Sequence, residues 1–333
     1  MHRWWAGLGL LCTLGLPGVA AGEAPPLVSF VAERQAYRAT VTQLLLRQQF
    51  ETLETQAREL RAQRPRFSAG FQRLYDFYEA LTPAAAEASP QTVEQRLRLL
   101  QQWRAQWPTS GTPAIGLARV HRTLAWQARG GGFASTVTPE GWQGFREHSR
   151  QALALLEDAH LHSAADPTLY DLLLRTRKDL GRPRAEVEEA FRLGTALDLT
   201  YDHLYNGMAG YLLLRWYGRP GELEAFAARS AEQTKGWLGD GMYVRVAINA
   251  LALDREEALR LYNFSWPRLK RGLRDLDRAF PNSSRTVNIM AYLACLYQDA
   301  PLAQEALGRL GDTWDGDAQE MWGTRAAKAA CRR

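Results

Sequence analysis

The chain has 333 residues, a formal net charge of +5, and 46% hydrophobic and 23% charged residues, ordinary values for a globular protein. Only four of its 41 basic residues are lysines (178, 235, 270 and 328), and the arginines are interleaved with Glu and Asp rather than massed. The densest cluster, Arg268-Leu269-Lys270-Arg271, runs straight into Asp275 and Asp277, so the dense basic face that releases phosphate counterions is missing and no nucleic-acid partner is expected.

Residues 1–24 have the form of a secretory signal peptide: Met1-His2-Arg3-Trp4-Trp5, an apolar run from Ala6 to Val19, then Ala20-Ala21-Gly22-Glu23-Ala24. The run of about 14 residues, broken by Pro17, falls short of the roughly 20 needed to span a bilayer. The expectation is a periplasmic or secreted protein, cut near Ala21 or Ala24, with no membrane span afterwards. Cys12 leaves with the signal. Cys295 and Cys331 then remain, an even number in an oxidising compartment.

From residue 25 onward nearly every segment carries a 3.6-residue period. Val93, Leu97, Leu100 and Trp107 form one apolar stripe; Phe145, Ala152, Leu156 and Ala159 another; Leu169, Leu172, Leu173, Thr176 and Leu180 a third. Ser89-Pro90, Thr138-Pro139 and Asp166-Pro167 read as N-caps followed by proline at the first helical position. Reading between the prolines predicts about fourteen helices joined by short loops, which force sequential helices to pack antiparallel. The fold class is therefore all-α, an array of antiparallel helical hairpins. The hairpins Leu172–Ala196 and Ala291–Leu307 suggest a tetratricopeptide-like right-handed solenoid with a period near 34 residues. The array is expected to occupy residues 25–333 as a single helical-repeat domain, or as two lobes, 25–162 and 163–333. Cys295 and Cys331 are 36 residues apart, about one repeat, so equivalent helices of neighbouring hairpins would bring them together as a disulfide. Two buried free thiols are the alternative.

Two stretches break the pattern. Trp126 to Trp142 contains a glycine triplet, Gly130-Gly131-Gly132, flanked by aromatics and Arg129; such backbone needs positive φ or the close approach of another chain. Tyr201 to Gly221 sets Tyr201, Tyr205, Tyr211, Trp216 and Tyr217 around Arg215. In one reading Trp126, Arg129, Gly130, Gly132, Trp142, Tyr205, Tyr211, Arg215 and Trp216 line a groove for a peptide or anionic ligand. In the other, the arginines stack on tryptophans and cap helix ends where an irregular loop crosses the array.

The pattern Trp126-x-Ala128-Arg129-Gly130-x-Gly132, then Thr136-Val137, Gly141-Trp142 and Phe145, resembles the bacterial family called domain of unknown function 4034. Tyr211 to Gly218, followed by Glu222, Phe226 and Tyr243-Val244-Arg245, is similar too, as is the tail with Cys295, Trp314, Trp322 and Cys331. Where the family tends to have Leu-Pro-Arg-Trp-Gly-Gly, this chain carries Leu214 for the proline and Tyr217 for the first glycine. The resemblance implies an all-helical, usually exported bacterial protein and supplies no activity.

Reaction signatures are missing: no Gly-x-Ser-x-Gly, His-Glu-x-x-His, Cys-x-x-Cys or Gly-x-x-x-x-Gly-Lys occurs. His160-x-His162 reads as a solvated helix end, because residues two apart on a helix point away from each other. Among Asp312, Asp315, Asp317 and Glu320, Asp315 or Asp317 is expected to cap the helix carrying Trp322. No cofactor and no metal are expected. The sequence favours a scaffold that binds a protein or peptide partner in the bacterial envelope without catalysis. The alternative is a periplasmic hydrolase acting on cell-wall or glycan material, for which Glu140 and Asp240, beside glycines, are the carboxylates to inspect.

Overall fold

In the computed structural model, residues 26–83, 89–254 and 257–331 are described; the segment 1–24, read above as a signal peptide, lies outside them. In chain order the α-helices are α1 (Phe30–Leu46), α2 (Phe50–Gln63), α3 (Arg73–Ala80), α4 (Pro90–Gln106), α5 (Thr112–Arg129), α6 (Pro139–Ser163), α7 (Pro167–Asp179), α8 (Arg184–Leu197) and α9 (Asp202–Tyr211). There follow α10 (Glu222–Gln233), α11 (Lys235–Leu238), α12 (Gly241–Asp254), α13 (Glu257–Leu261), α14 (Trp266–Ala279), α15 (Ser284–Leu296), α16 (Ala300–Leu310), α17 (Gly316–Trp322) and α18 (Arg325–Ala330). Among the described residues strand pairing is limited to two isolated bridges, Val28 with Ser283 and Arg66 with Gln72.

Local chemistry accounts for the helix starts. The side chains of Ser89, Thr138 and Asp166 each accept a backbone N–H of the first turn, and proline follows each. Asp299 and Asp315 do the same for α16 and α17. Each such cap is worth about 1 kcal/mol. α9 ends at Tyr211, and residues 212–217 form a tight turn, so Leu214 lies outside the helix.

The stripes become the inward faces. Leu169, Leu172, Leu173 and Thr176 of α7 are buried, as are Val187, Ala190 and Gly194 of α8. A Cβ on Gly194 would lie 2.6 Å from Leu204 and 2.9 Å from Tyr170; glycine lets the two helices approach. One apolar cluster runs from Val41 to Trp322, through both 25–162 and 163–333.

The helices touch in two rows. α1, α3, α5, α7, α9, α12, α14, α15 and α17 each contact the next, and α17 contacts α1. α2, α4, α6, α8, α10 and α16 pack outside them as hairpin partners. A solenoid with free ends would leave two terminal faces to cap; here the ends meet. The Val28 amide donates to Asn282 O at 2.7 Å, the Ser284 amide donates to Val28 O at 3.0 Å, and Ser29 Oγ donates to Asp317 Oδ2 at 2.9 Å. The loop between α2 and α3 reaches across the ring. Gln72 Nε2 donates to Asp198 at 2.7 Å, Arg66 Nη2 to Thr200 Oγ1 at 2.6 Å, and Arg245 Nη2 to Ala69 O at 2.9 Å. Gly70 has φ +81, and a Cβ there would fall 2.1 Å from the Phe280 ring, so only glycine passes.

Cys295 of α15 and Cys331, one residue past α18, come together with Cα atoms 5.7 Å apart, the spacing a disulfide needs.

Candidate ligand groove

Where α5, α7, α9 and α12 stand side by side, their inner faces and the loop after α5 enclose a groove of about 710 Å³. Arg122, Trp126 and Arg129 enter from α5 at one- and two-turn spacing. Arg175 and Lys178 enter from α7, and Asn206, Gly207 and Gly210 from α9. Arg215, Trp216, Asn249 and Leu253 complete the wall, and Gly131 to Ala134 overhang it.

Asp179, buried at the end of α7, organises the α5 side. Its Oδ2 accepts from Trp126 Nε1 at 3.0 Å and from Arg122 Nε at 2.9 Å. Trp126 meets Trp216 edge to face, with centroids 6.0 Å apart. The Lys178 ammonium sits 4.2 Å from the Trp216 ring centre and 5.5 Å from that of Trp126. Its side chain is only 11% exposed. Burial pulls its amine down to about 8, and Asp179 opposes that pull. The Arg129 guanidinium lies 5.3 Å from both the Trp126 and Trp142 rings. It donates to the carbonyls of Gly130 and Gly132 at 3.1 and 3.0 Å. Among the described residues no carboxylate stands within ion-pair reach of it. Arg215 Nε pairs with Asp254 at 3.1 Å while its Nη2 donates to Leu253 O.

The glycines have distinct reasons. Gly130, at φ +74, ends α5 in a conformation that disfavours side chains. A Cβ on Gly132 would meet Thr136 Oγ1 at 2.5 Å. Gly207 opens the floor: its Cβ would lie 2.9 Å from Asp171 Oδ1. Asp171 is fully buried and accepts from Arg175 Nε at 2.8 Å. Burial raises its carboxyl, and the Arg175 charge and hydrogen bond work against that rise. Five cations (Arg122, Arg129, Arg175, Lys178, Arg215) thus face three carboxylates (Asp171, Asp179, Asp254), a surplus of positive charge in a half-enclosed space.

Trp126, Arg129, Gly132, Arg215 and Trp216 are brought together on this wall. Gly130 supports the loop, and Trp142 backs Arg129 from a second layer against Phe145. Tyr205 and Tyr211 are placed elsewhere. Tyr205 is buried, donates to Leu199 O at 2.9 Å and packs on Phe191. Tyr211 is buried and stacks on Tyr217 at 4.8 Å. The reason is helix phase: the groove face of α9 is Asn206-Gly207-Gly210, and a residue next to that face is turned about 100° away from it. Lys178, Arg175, Arg122, Asn249 and Phe133 were not singled out from the sequence. Arg175 and Lys178, at i and i+3 on α7, and Arg122, two turns before Arg129 on α5, had a signal in charges on helices otherwise read only for apolar residues; Asn249 and Phe133 had none.

Glu140 is exposed in the first turn of α6. Asp240 is held by Arg268 at 2.8 Å and Arg271 at 3.1 Å, away from the groove. Asp315 caps α17, as expected.

The groove continues. It shares Asn206 and Asn249 with a small cavity floored by Arg245. That cavity shares Ile248, Ala252 and Arg285 with a third of about 740 Å³, where Asp254, Glu257 and Glu320 lie. The three adjoining cavities differ in charge, the first richer in cations and the third in carboxylates.

No family model, no curated protein and no solved structure matches this chain. No helix among the described residues is long and apolar enough to cross a membrane.

Proposed function

We propose that the chain is an exported, tetratricopeptide-like scaffold whose groove holds an extended segment of a peptide or protein partner, without covalent chemistry of its own. One observation carries this reading. Among the exposed large apolar side chains of the described residues, Phe133, Trp216 and Leu253 line the groove and Tyr217 follows Trp216 beside it, whereas Val28, Leu161, Leu197, Leu199 and Leu261 lie elsewhere. Phe133, 84% exposed at the tip of the glycine loop, is the extreme case. Aromatic and arginine side chains in a concave site are the usual anchors of protein interfaces, and the surplus positive charge selects an acidic segment. The resemblance to the domain of unknown function 4034 family agrees with an exported bacterial protein. Export itself predicts a mature N-terminus at Gly22 or Pro25, read by intact-mass spectrometry of periplasmic material.

The test is selection of displayed random peptides on the full mature chain. Peptides combining Asp or Glu with aromatic residues should be enriched. The Arg129→Ala/Arg215→Ala variant should lose them, by about 2–4 kcal/mol if both arginines anchor. A double variant that folds normally and keeps every binder refutes the reading.

The hydrolase alternative has one supporting observation, the buried Asp171 carboxyl under Gly207 with its raised pKa. Its contact with Arg175 holds it as an ion pair, which favours a structural role. Release of reducing ends from peptidoglycan by the wild type, abolished in Asp171→Asn, would reverse that preference.

A further inference from the structure

We infer that His121 and His148 form a site for a borderline divalent cation, of the zinc or copper(II) class, clipping together the two legs of the hairpin that carries the glycine loop. The inference does not depend on the peptide-binding reading.

His121 lies on α5 and His148 on α6, and their Nδ1 atoms face each other at 3.3 Å. Two nitrogens held at about 2.0–2.1 Å by a tetrahedral ion stand about 3.3–3.4 Å apart. The imidazoles are therefore already at chelating separation. Gln151 Oε1, on the next turn of α6, lies 3.2 Å from the same His148 Nδ1. His121 Nδ1 and Gln151 Oε1 thus both lie within 3.3 Å of His148 Nδ1. A neutral imidazole has a single N–H. If it sits on His148 Nδ1, two acceptors must share it; if it does not, that nitrogen faces the Gln151 oxygen lone pair to lone pair. One cation satisfies all three.

Among the described residues no three His, Cys, Asp or Glu side chains converge. The donor set is thus two imidazoles, an amide oxygen and water, which suits zinc or copper(II) rather than calcium or magnesium. It is expected to bind more weakly than a closed site with four protein ligands. A cleft of about 470 Å³ beside His121 gives access and room for water. The cation lining that cleft, Arg104, has its charge met by Asp158 at 2.8 Å.

The location gives the site a consequence. His121 precedes Arg129 by eight residues and His148 follows Pro139 by nine. At 1.5 Å per residue the ion sits roughly 12–14 Å below the loop. An ion there ties α5 to α6 and restrains the wall that carries Trp126, Arg129 and Phe133. The sequence separation of 27 hides the pair from any reading of sequence spacing.

The experiment titrates tag-free, chelator-stripped full chain with zinc chloride and with copper(II) chloride, by calorimetry and by thermal unfolding. One ion per chain and a rise in melting temperature are expected. His121→Ala or the half-exposed His148→Gln should each lower affinity about tenfold or more, and Gln151→Ala less, since ligand removal outweighs loss of a weak donor. His160→Ala/His162→Ala should bind as wild type. Circular dichroism checks that each variant is folded. Absence of heat and of any melting shift with both ions up to about 1 mM overturns the proposal, and so does unchanged binding in the His121→Ala/His148→Ala chain.

Discussion

Lys178 offers the sharpest quantitative test of the groove. Its ammonium is wedged between Trp126 and Trp216, and among the described residues Asp179 is its ion-pair partner. The gap between the ordinary 10.5 and about 8 corresponds to about 3 kcal/mol of disfavoured charged form. Below pH 8 the folded and unfolded chains both hold the proton, and the folded state bears the full cost. Between pH 8 and 10.5 the folded chain releases its proton first, so the unfolded chain binds more protons and stability rises. Above pH 10.5 the cost is gone. Lys178→Met keeps the apolar stem between the two rings and removes the titration. Urea unfolding at a series of pH values from 7 to 10.5, wild type beside Lys178→Met, should give two curves that diverge above pH 8. Their difference should change by about 3 kcal/mol across that window. The raised tyrosines titrate in both proteins and cancel. The absolute offset is not the readout, because the variant also strips Asp179 of a cation; the slope is. Curves that stay parallel within about 0.5 kcal/mol would show that the amine is solvated and that the groove is wetter than its geometry implies.

Other outcomes follow from the same structure. Reducing Cys295–Cys331 should cost about 4 kcal/mol by loop entropy, and thiol titration of the denatured, unreduced mature chain should find no free thiol; two free thiols would refute the pairing. Arg245→Met should destabilise the fold by about 3–5 kcal/mol, since it leaves Asp202 buried beside only the distant Arg66 and frees Ala69 O; denaturant unfolding reads this, and a loss under about 1 kcal/mol would show the pair to be dispensable. Gly70→Val should weaken the fold more than Gly210→Val, because its Cβ strikes the Phe280 ring at positive φ while Gly210 faces open space; equal melting temperatures would contradict that packing.

The helices were legible because their evidence is local. Ser89, Thr138 and Asp166 cap where the sequence says they should, and the stripes on α7 and α8 are buried. The aromatic–arginine segments were legible as anomalies, and five of the nine residues drawn from them line one wall. Their roles were less so. Tyr205 and Tyr211 look like Trp126 and Trp216 in composition, and only the phase of α9 assigns them to the core. Lys178 and Arg175 look like solvated helix charges until α5 and α9 are placed beside α7.

By itself, then, the sequence determined the helical class, the starts of its helices, the candidate pairing of Cys295 with Cys331 and the expectation of export, because periodicity, capping and a leader pattern are written in neighbouring residues. Tertiary structure alone decided that α1 meets α17 and that Arg64–Gln72 crosses the ring. It also decided that cations from α5, α7 and the turn after α9 share one groove, and that His121 finds His148. These are contacts between residues from 27 to 288 positions apart, set by how helix faces stack and invisible to any pattern that repeats every 3.6 residues.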